Sequence, residues 1–208
     1  MDLLAEFNSR KPKISAWLAS TKDKWCNADD VRFELCFCLC TPQSKALVCR
    51  NAISKLRKKG LLESAGSEDI SKHMTGVRFA NNKASYIIEA QTKFLTVYQK
   101  IVELNAKPLE LRDWLVKNVK GYGYKEASHF LRNIGLGEEL AILDVHILRE
   151  MAENGLVSKD EKRKGGLSPR LYLETEKAFA GLAKKLGLKS AELDIAIWLA
   201  RSGNDEIM

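Results

Sequence analysis

The sequence predicts an all-α protein, and three observations support this fold class. Apolar residues recur at the spacing of an amphipathic helix in several segments, among them residues 94–101, 127–134 and 179–186. Sustained alternation of apolar and polar residues, which would indicate half-buried strands, is scarce. Thr41-Pro42 and Ser168-Pro169 each place a capping hydroxyl before a proline, a combination typical of helix starts.

Taken in chain order, these signals predict eleven helices. The helices at 42–58 and 169–186 begin at the two prolines. The helix at 67–73 begins at Ser67, which is followed by acidic residues that favour a helix N-terminus. The others follow the apolar periodicity, at 2–8, 12–25, 29–40, 80–104, 109–119, 124–134, 145–154 and 190–202. The lysine-rich stretch at 159–169 is predicted to be an exposed loop.

The chain has the composition of a compact globular protein, with 208 residues of which 45% are hydrophobic and 29% charged. Its densest apolar stretch, Phe33 to Cys40, contains Glu34 and is far shorter than the roughly 20 residues that a membrane-spanning helix needs. The first residues include acidic groups and no apolar run, so they do not resemble a secretory signal. We therefore expect an intracellular protein, in the cytoplasm or nucleoid, with no membrane partner.

Five cysteines lie in apolar sequence within the first quarter of the chain: Cys26, Cys36, Cys38, Cys40 and Cys49. An odd number in this setting does not predict a disulfide framework. The middle three are spaced by two, which sends their thiols to different faces of a helix, and no histidine lies nearby to complete a tetrahedral metal site. We expect small core residues in a reduced compartment, and no metal.

The net charge of +7 is concentrated in the first sixty residues, which carry 12 basic and 6 acidic groups. Residues 111–208 are close to neutral, with 16 basic and 15 acidic groups. A basic lobe beside a neutral one suggests a polyanion bound to one side, and nucleic acid is a better candidate than a membrane surface. The alternative is a solvated, lysine-rich face.

A pair of glycines marks the most informative segment, residues 119–133, with the sequence VKGYGYKEASHFLRN. Gly121 and Gly123 lie between two apolar helices, where they permit positive φ and expose backbone N–H groups beside a helix N-terminus. Such a turn can bind one phosphate, which positions a duplex without reading its sequence. The alternative is a plain glycine-containing helical hairpin.

Two ionisable residues add chemistry to this hairpin. Lys125 falls in the first turn after the glycines, where the positive end of the helix dipole disfavours a protonated amine, and a neutral amine is a nucleophile. Nineteen residues later, Asp144 is the predicted N-cap of the following helix. One helix forward and one loop back can return Asp144 close to Lys125, with both groups at the mouth of a phosphate-binding hairpin.

With this spacing the chain resembles the helix-hairpin-helix DNA glycosylase superfamily, whose motif is a G-x-G hairpin, a catalytic lysine and an aspartate about 19 residues on. Four strings make it similar to the archaeal-type (type 2) 8-oxoguanine DNA glycosylase/lyase family: KGYGYKEASHFLRNIG, LDVHILR, VRFANNKASYIIEA and ELDIAIW. The resemblance implies one unit over residues 1–208, made of two helical lobes with the active site in the cleft between them. The helix-hairpin-helix motif then spans about 109–134.

Two features narrow the position within the superfamily. The endonuclease III branch usually ends with four cysteines that hold an iron–sulfur cluster, whereas this chain has no cysteine after Cys49. Monofunctional glycosylases lack the catalytic lysine, and Lys125 is present. The resemblance therefore implies a bifunctional enzyme.

The implied reaction acts on double-stranded DNA that contains 8-oxoguanine. The enzyme extrudes the damaged base, Lys125 attacks C1′ of the sugar, and Asp144 stabilises the developing positive charge. The resulting Schiff base permits β-elimination, which nicks the strand 3′ to the lesion. Neither step requires a metal or an organic cofactor, and we expect a monomer.

The family pattern also suggests roles for residues outside the catalytic pair. Base-pocket candidates are Trp198, Asp194, Phe79 and, in the C-terminal tail, Met208. A phosphate contact is expected from His146, support behind Lys125 from His129, and insertion into the gap left by the base from Gln43, just inside the helix that starts at Pro42. For each residue the alternative is an ordinary core or surface role.

Two other functions stay open at this point. The same chemistry could serve a different damaged base, for example an oxidised pyrimidine or another modified purine. Alternatively, the hairpin could belong to a non-catalytic DNA-binding module, which would not depend on Lys125 or Asp144 and would form no covalent adduct.

Overall fold

A computed structural model describes residues 1–64, 66–158 and 166–203 of the chain. Helices account for the regular structure of these ranges, without a strand, so the predicted all-α class is confirmed. The helices are α1 (Leu3–Thr21), α2 (Ala28–Cys40), α3 (Ala46–Lys58), α4 (Leu61–Ser64), α5 (Ser67–Lys72), α6 (Ala80–Thr92), α7 (Phe94–Leu104), α8 (Pro108–Asn118), α9 (Tyr124–Asn133), α10 (Val145–Glu153), α11 (Pro169–Lys185) and α12 (Ser190–Ser202). A short 3-10 helix at Lys24–Cys26 joins α1 to α2.

The first two predicted helices, at 2–8 and 12–25, form one helix instead. Helix α1 runs continuously through Pro12. Pro12 has no backbone N–H, so the carbonyl of Asn8 loses its hydrogen-bond donor within the helix. Both residues are exposed, so water can donate to that carbonyl instead. Phe7 and Ile14 lie on one buried stripe on either side of the proline, and this stripe requires an unbroken helix.

The predicted helix start at Pro42 is wrong. Helix α3 begins at Ala46, and residues 41–44 form a turn in which Gln43 has a left-handed backbone with φ of 55°. The amine of Lys83 binds the carbonyl oxygen of Pro42, which holds this segment in the turn. Gln43 therefore lies in an exposed turn before α3 and not in its first turn.

The predicted helix at 80–104 is two helices. The break is confined to Lys93, whose backbone has φ of −97° and ψ of 2°. Buried residues of α6, such as Ala84 and Ile87, and buried residues of α7, such as Val97 and Ile101, keep the same helical register. Apolar periodicity therefore carries no signal of the break.

The chain divides into two compact units, and each has its own interior. Of the described residues, those at 1–22 and from Gly137 to Gly203 form one unit, and those from Asp23 to Leu136 form the other. In the first unit, α1 packs on α12 through Phe7, Ile14, Ile195 and Leu199. In the second, α2 packs against α3, α6 and α9 and is buried on nearly every face.

This burial of α2 explains its apolar, cysteine-rich sequence. Cys36, Cys38 and Cys40 all lie in the interior, as does Cys49 on α3, whereas Cys26 is exposed. All five thiols are free. The prediction of core residues is confirmed for four of the five cysteines and is wrong for Cys26.

The described ranges also bear on membranes and metals. No helix within them has both the length and the apolar character needed to cross a membrane. Nor do three or more potential ligands among His, Cys, Asp and Glu come together there in a way that could hold a metal ion.

Candidate active site

The glycine hairpin is a tight connection between α8 and α9. Gly121 has a φ of +93°, a conformation that side-chain-bearing residues rarely adopt. A Cβ at this position would also lie 2.7 Å from the Tyr86 ring, so the close packing excludes a side chain as well. The next residue, Tyr122, is buried and donates a hydrogen bond from its hydroxyl to the Leu35 carbonyl at 3.1 Å. The hairpin tip is thereby anchored to α2.

Gly123 is the N-cap of α9 and has an extended backbone. Its N–H donates to Oε2 of Glu126 at 3.3 Å, so the first turn of the helix is capped from within. Sequence reasoning missed Glu126, although a glutamate three residues after an N-cap is a recognisable helix-start signal.

Lys125 occupies the second position of α9 with its side chain 30% exposed. Its Nζ lies 3.3 Å from Oε1 of Glu126, so one carboxylate holds both the hairpin backbone and this amine. A second lysine is close by. Burial lowers the pKa of Lys83, and the positive charge of Lys125 lowers it further. The structure therefore brings Gly123, Lys125 and Glu126 together beside a buried amine.

Asp144 caps α10, as the sequence predicted. Its Oδ1 accepts two backbone hydrogen bonds, from His146 at 2.8 Å and Ile147 at 3.0 Å. No residue in the described part of the chain donates to its Oδ2, which leaves that oxygen available for a charge outside the helix. Val145, at the first position of α10, is 70% exposed, so the helix N-terminus is accessible.

The loop before Asp144 is held by buried side chains of α11 and α12. Ala141 donates its N–H to Glu176 at 3.1 Å, and Ile142 donates its N–H to Asp194 at 3.1 Å. The Tyr172 hydroxyl donates to the Ala141 carbonyl at 2.6 Å. Sequence reasoning did not identify Glu176 or Tyr172, because helical periodicity marks them as ordinary positions of an amphipathic helix.

Four other predicted site residues are buried or half-buried. Trp198 is half-buried and packs against the core of the first unit, and Asp194 is 2% exposed beneath the loop. His146 is half-buried in the first turn of α10, and His129 is half-buried on α9 with its ring edge-on to Phe37 at 5.5 Å.

Phe79 and Met208 complete the set of base-pocket candidates. Phe79 is 55% exposed, with a left-handed backbone at φ of 58° immediately before α6. Met208 lies outside the described residues. Lys125 belongs to one unit and Asp144 to the other, and their proximity stays a prediction.

Comparisons with known proteins give a consistent result. A family model described as 8-oxoguanine DNA glycosylase matches residues 16–188. The chain is similar to the 8-oxoguanine DNA glycosylase/AP lyase of Fusobacterium nucleatum, with 39% identity over 89% of this chain and 87% of the relative. It is also 39% identical to the Methanocaldococcus jannaschii protein of that name, over 82% of this chain and 79% of the relative.

Solved structures agree with these relatives. The 8-oxoguanine DNA glycosylase of Thermotoga maritima superposes with a TM-score of 0.86 at 28% identity, covering 99% of both chains. The Methanocaldococcus jannaschii 8-oxoguanine glycosylase/lyase in complex with a 15mer DNA containing 8-oxoguanine gives a TM-score of 0.86 at 30% identity, covering 100% of both chains. The likeness therefore extends over the whole helical architecture.

Proposed function

The chain belongs to the 8-oxoguanine DNA glycosylase family, and on that premise we propose how its residues carry out the reaction. The protein is a base excision repair enzyme that removes 8-oxoguanine from double-stranded DNA and cleaves the strand at the resulting abasic site. The main support for this function at the level of residues is the position of Lys125. Its amine is accessible and lies in the first turn of α9, two residues after a glycine hairpin.

Lys125 is the nucleophile. Its Nζ attacks C1′ of the extruded nucleotide, the bond from C1′ to the base breaks, and the base leaves with the bonding electron pair. Opening of the sugar ring gives an imine between Nζ and C1′. Loss of a proton from C2′ then expels the 3′ phosphate by β-elimination. Glu126, 3.3 Å from Nζ, orients the amine toward the sugar before the attack.

Asp144 supplies the complementary charge. One of its carboxylate oxygens is committed to the N-terminus of α10, so the side chain cannot rotate freely. The other oxygen faces the positive charge that develops on the sugar as the base departs. A carboxylate fixed in advance stabilises such a charge without having to reorganise during the reaction.

The hairpin and the N-terminus of α10 hold the DNA backbone. The Gly121–Gly123 turn lets a phosphate approach the first-turn amides of α9, because both glycines are exposed and neither has a side chain of its own. His146, in the first turn of α10, contacts a second phosphate. These contacts position the duplex and carry no base information.

The base pocket draws on an aromatic side chain. Trp198 offers an aromatic ring face for an extruded purine. Asp194 acts on the pocket through the loop that it holds, and His129 supports α9 from behind Lys125. The protein acts as a monomer inside the cell, where its DNA substrate is.

Trapping with sodium borohydride tests the proposal. The protein is incubated with a duplex containing one 8-oxoguanine opposite cytosine, the imine is reduced, and a denaturing gel is searched for a protein–DNA adduct. We expect an adduct that is lost in Lys125→Gln while DNA binding persists. Undiminished nicking by Lys125→Gln would overturn the role of Lys125.

Two further substrates separate the other functions. An adduct with an abasic site but none with 8-oxoguanine would retain the lyase and reassign the base, which a panel of lesion duplexes would then identify. No adduct with either substrate would favour a non-catalytic DNA-binding module.

A further inference from the structure

Lys83 of α6 is a buried amine that the proposed reaction does not use. The residue is only 4% exposed. Its Nζ donates to three acceptors, the carbonyl oxygens of Cys40 at 2.6 Å and Pro42 at 2.7 Å and the Ser44 hydroxyl at 3.0 Å. An ammonium group has three protons, so all three are used. Lysine is rarely buried unless it is paired in this way, and such a network holds its partners in one arrangement.

The segment that Lys83 holds is the turn at residues 41–44. Gln43, at its tip, has a left-handed backbone and an exposed side chain. A residue with a Cβ rarely adopts this conformation, which persists only where the surroundings impose it. The exposed side chain of Gln43 contributes nothing to the core in return. The strain therefore serves to present this side chain outward.

The same network controls Phe79. The Ser44 hydroxyl that accepts from Lys83 also accepts the Arg78 N–H at 3.0 Å. Through Ser44, the Lys83 side chain is therefore linked to the residue that precedes Phe79. Phe79 also has a left-handed backbone, and its ring is largely exposed. In the described ranges, Gln43 and Phe79 are the residues other than glycine that have positive φ.

The network lies beside the nucleophile. The charge of Lys125 acts on the Lys83 amine and also on the Cys49 thiol, whose Sγ donates to the Cys40 carbonyl at 3.1 Å. Two strained, outward-pointing side chains are thus held by one buried amine close to the residue that attacks the sugar.

We propose that Lys83 is a positioning residue that holds Gln43 and Phe79 as a preformed pair, which enters the duplex when the damaged base is extruded. This inference rests on the proposed function. Extrusion unstacks a base and leaves a gap in the duplex, which is unfavourable in free energy. An amide and an aromatic ring that insert at this point repay part of that cost. Because Lys83 fixes both backbones beforehand, little conformational freedom is lost on binding.

The test compares substrates that differ in the cost of extrusion. Lys83→Met keeps the length of the side chain and removes its three N–H donors, and Ser44→Ala removes one acceptor of Lys83 together with the acceptor of the Arg78 N–H. Lys93→Met, at the exposed end of α6, is the matched control. Single-turnover excision is measured on a fully paired 8-oxoguanine duplex and on the same lesion in single-stranded DNA. Borohydride trapping is measured on a single-stranded abasic site.

We expect excision from the paired duplex to fall about tenfold or more in Lys83→Met and less in Ser44→Ala, because extrusion becomes costlier. Excision from the single strand and trapping at the abasic site should stay close to wild type in both variants, and Lys93→Met should behave as wild type throughout. Equal losses on all substrates, or no loss on any, would overturn the proposal.

Two outcomes need separate treatment. If circular dichroism shows that Lys83→Met does not fold, the paired and single-stranded substrates are compared with Ser44→Ala instead. An equal loss of activity of Ser44→Ala on all substrates would then refute the positioning role of Lys83. If the wild-type protein neither excises 8-oxoguanine nor forms an adduct with any substrate, the proposed function itself fails, and this result is distinct from a loss confined to the variants.

Discussion

The Asp194 carboxylate accepts the N–H of Ile142 at 3.1 Å, although the two residues are 52 positions apart in the chain. Asp144 follows two residues later and donates its own N–H to the Ile142 carbonyl at 2.7 Å. The backbone that leads into the α10 cap is therefore fixed from α12. This relationship explains why a carboxylate is buried four residues before Trp198 on a helix whose buried residues are mostly apolar.

Removal of the Asp194 carboxylate should loosen this loop. Asp194→Ala leaves the buried Ile142 amide without an acceptor, and we expect the free energy of unfolding to fall by about 1–3 kcal/mol. The rate of base excision should fall as well, because Asp144 is no longer held. Asp194→Asn retains an acceptor oxygen and should lose much less stability. Urea unfolding and single-turnover kinetics measure the two effects, and equal behaviour of the two variants would contradict this account.

The cap and the charge of Asp144 can be separated by two substitutions. Asparagine caps a helix as well as aspartate does, so Asp144→Asn should keep wild-type thermal stability while base excision falls about 100-fold or more. Asp144→Ala should lose the activity and also about 1 kcal/mol of stability. Calorimetry and single-turnover excision are the measurements. Wild-type excision by Asp144→Asn would show that the charge is not used.

The two hairpin glycines should respond differently to alanine. Gly121→Ala places a Cβ 2.7 Å from the Tyr86 ring at a positive φ, and we expect a loss of about 2–4 kcal/mol in stability. Gly123 is extended, and a Cβ there meets the mobile end of Glu126 at 3.2 Å, so Gly123→Ala should cost about 1 kcal/mol or less. Gly123→Ala should fold yet bind DNA more weakly. Chemical denaturation and DNA titration separate the two, and a reversed order of stabilities would argue against this hairpin geometry.

The thiols should be unreactive in the native protein, apart from Cys26. Burial raises the pKa of Cys36 to about 12 and also raises the pKa values of Cys38, Cys40 and Cys49. Iodoacetamide near pH 8 should therefore modify Cys26 alone in the folded chain and all five cysteines in urea. Mass spectrometry counts the modified sites. Rapid native labelling of Cys36 would contradict the burial of α2.

The same shifts set a limit on stability at high pH. A buried thiol keeps its proton at pH values above 9.0, the ordinary pKa of cysteine. In the unfolded chain the thiol loses its proton near that pH, so the unfolded state binds fewer protons than the folded state. This contribution to stability is complete below about pH 9 and declines as the pH rises toward about 12. Urea midpoints measured between pH 7 and pH 10.5 should fall at the alkaline end. A midpoint that rises over this range would contradict the sign of the shift.

Local patterns in the sequence were enough to predict the all-α class, most helix bounds, the glycine turn and the cap at Asp144. Each of these depends on residues within one or two helical turns, so spacing and capping chemistry are sufficient. The errors lie where local signals agree with two structures. Pro42 is compatible with both a helix start and a turn, and Pro12 predicts a break that its solvent-exposed position makes unnecessary.

Contacts between residues far apart in the chain decided the rest. The turn that presents Gln43 exists because Lys83 reaches back 43 residues to Cys40 and 41 residues to Pro42. Asp194 accepts the N–H of Ile142, 52 residues away in the chain, and its place in the base pocket stays a prediction. The sequence alone predicted most of the helices and the glycine hairpin that precedes Lys125, because helical periodicity and the glycine-lysine spacing are local. Only the tertiary structure decided which buried polar groups meet, because their pairing depends on how the helices pack.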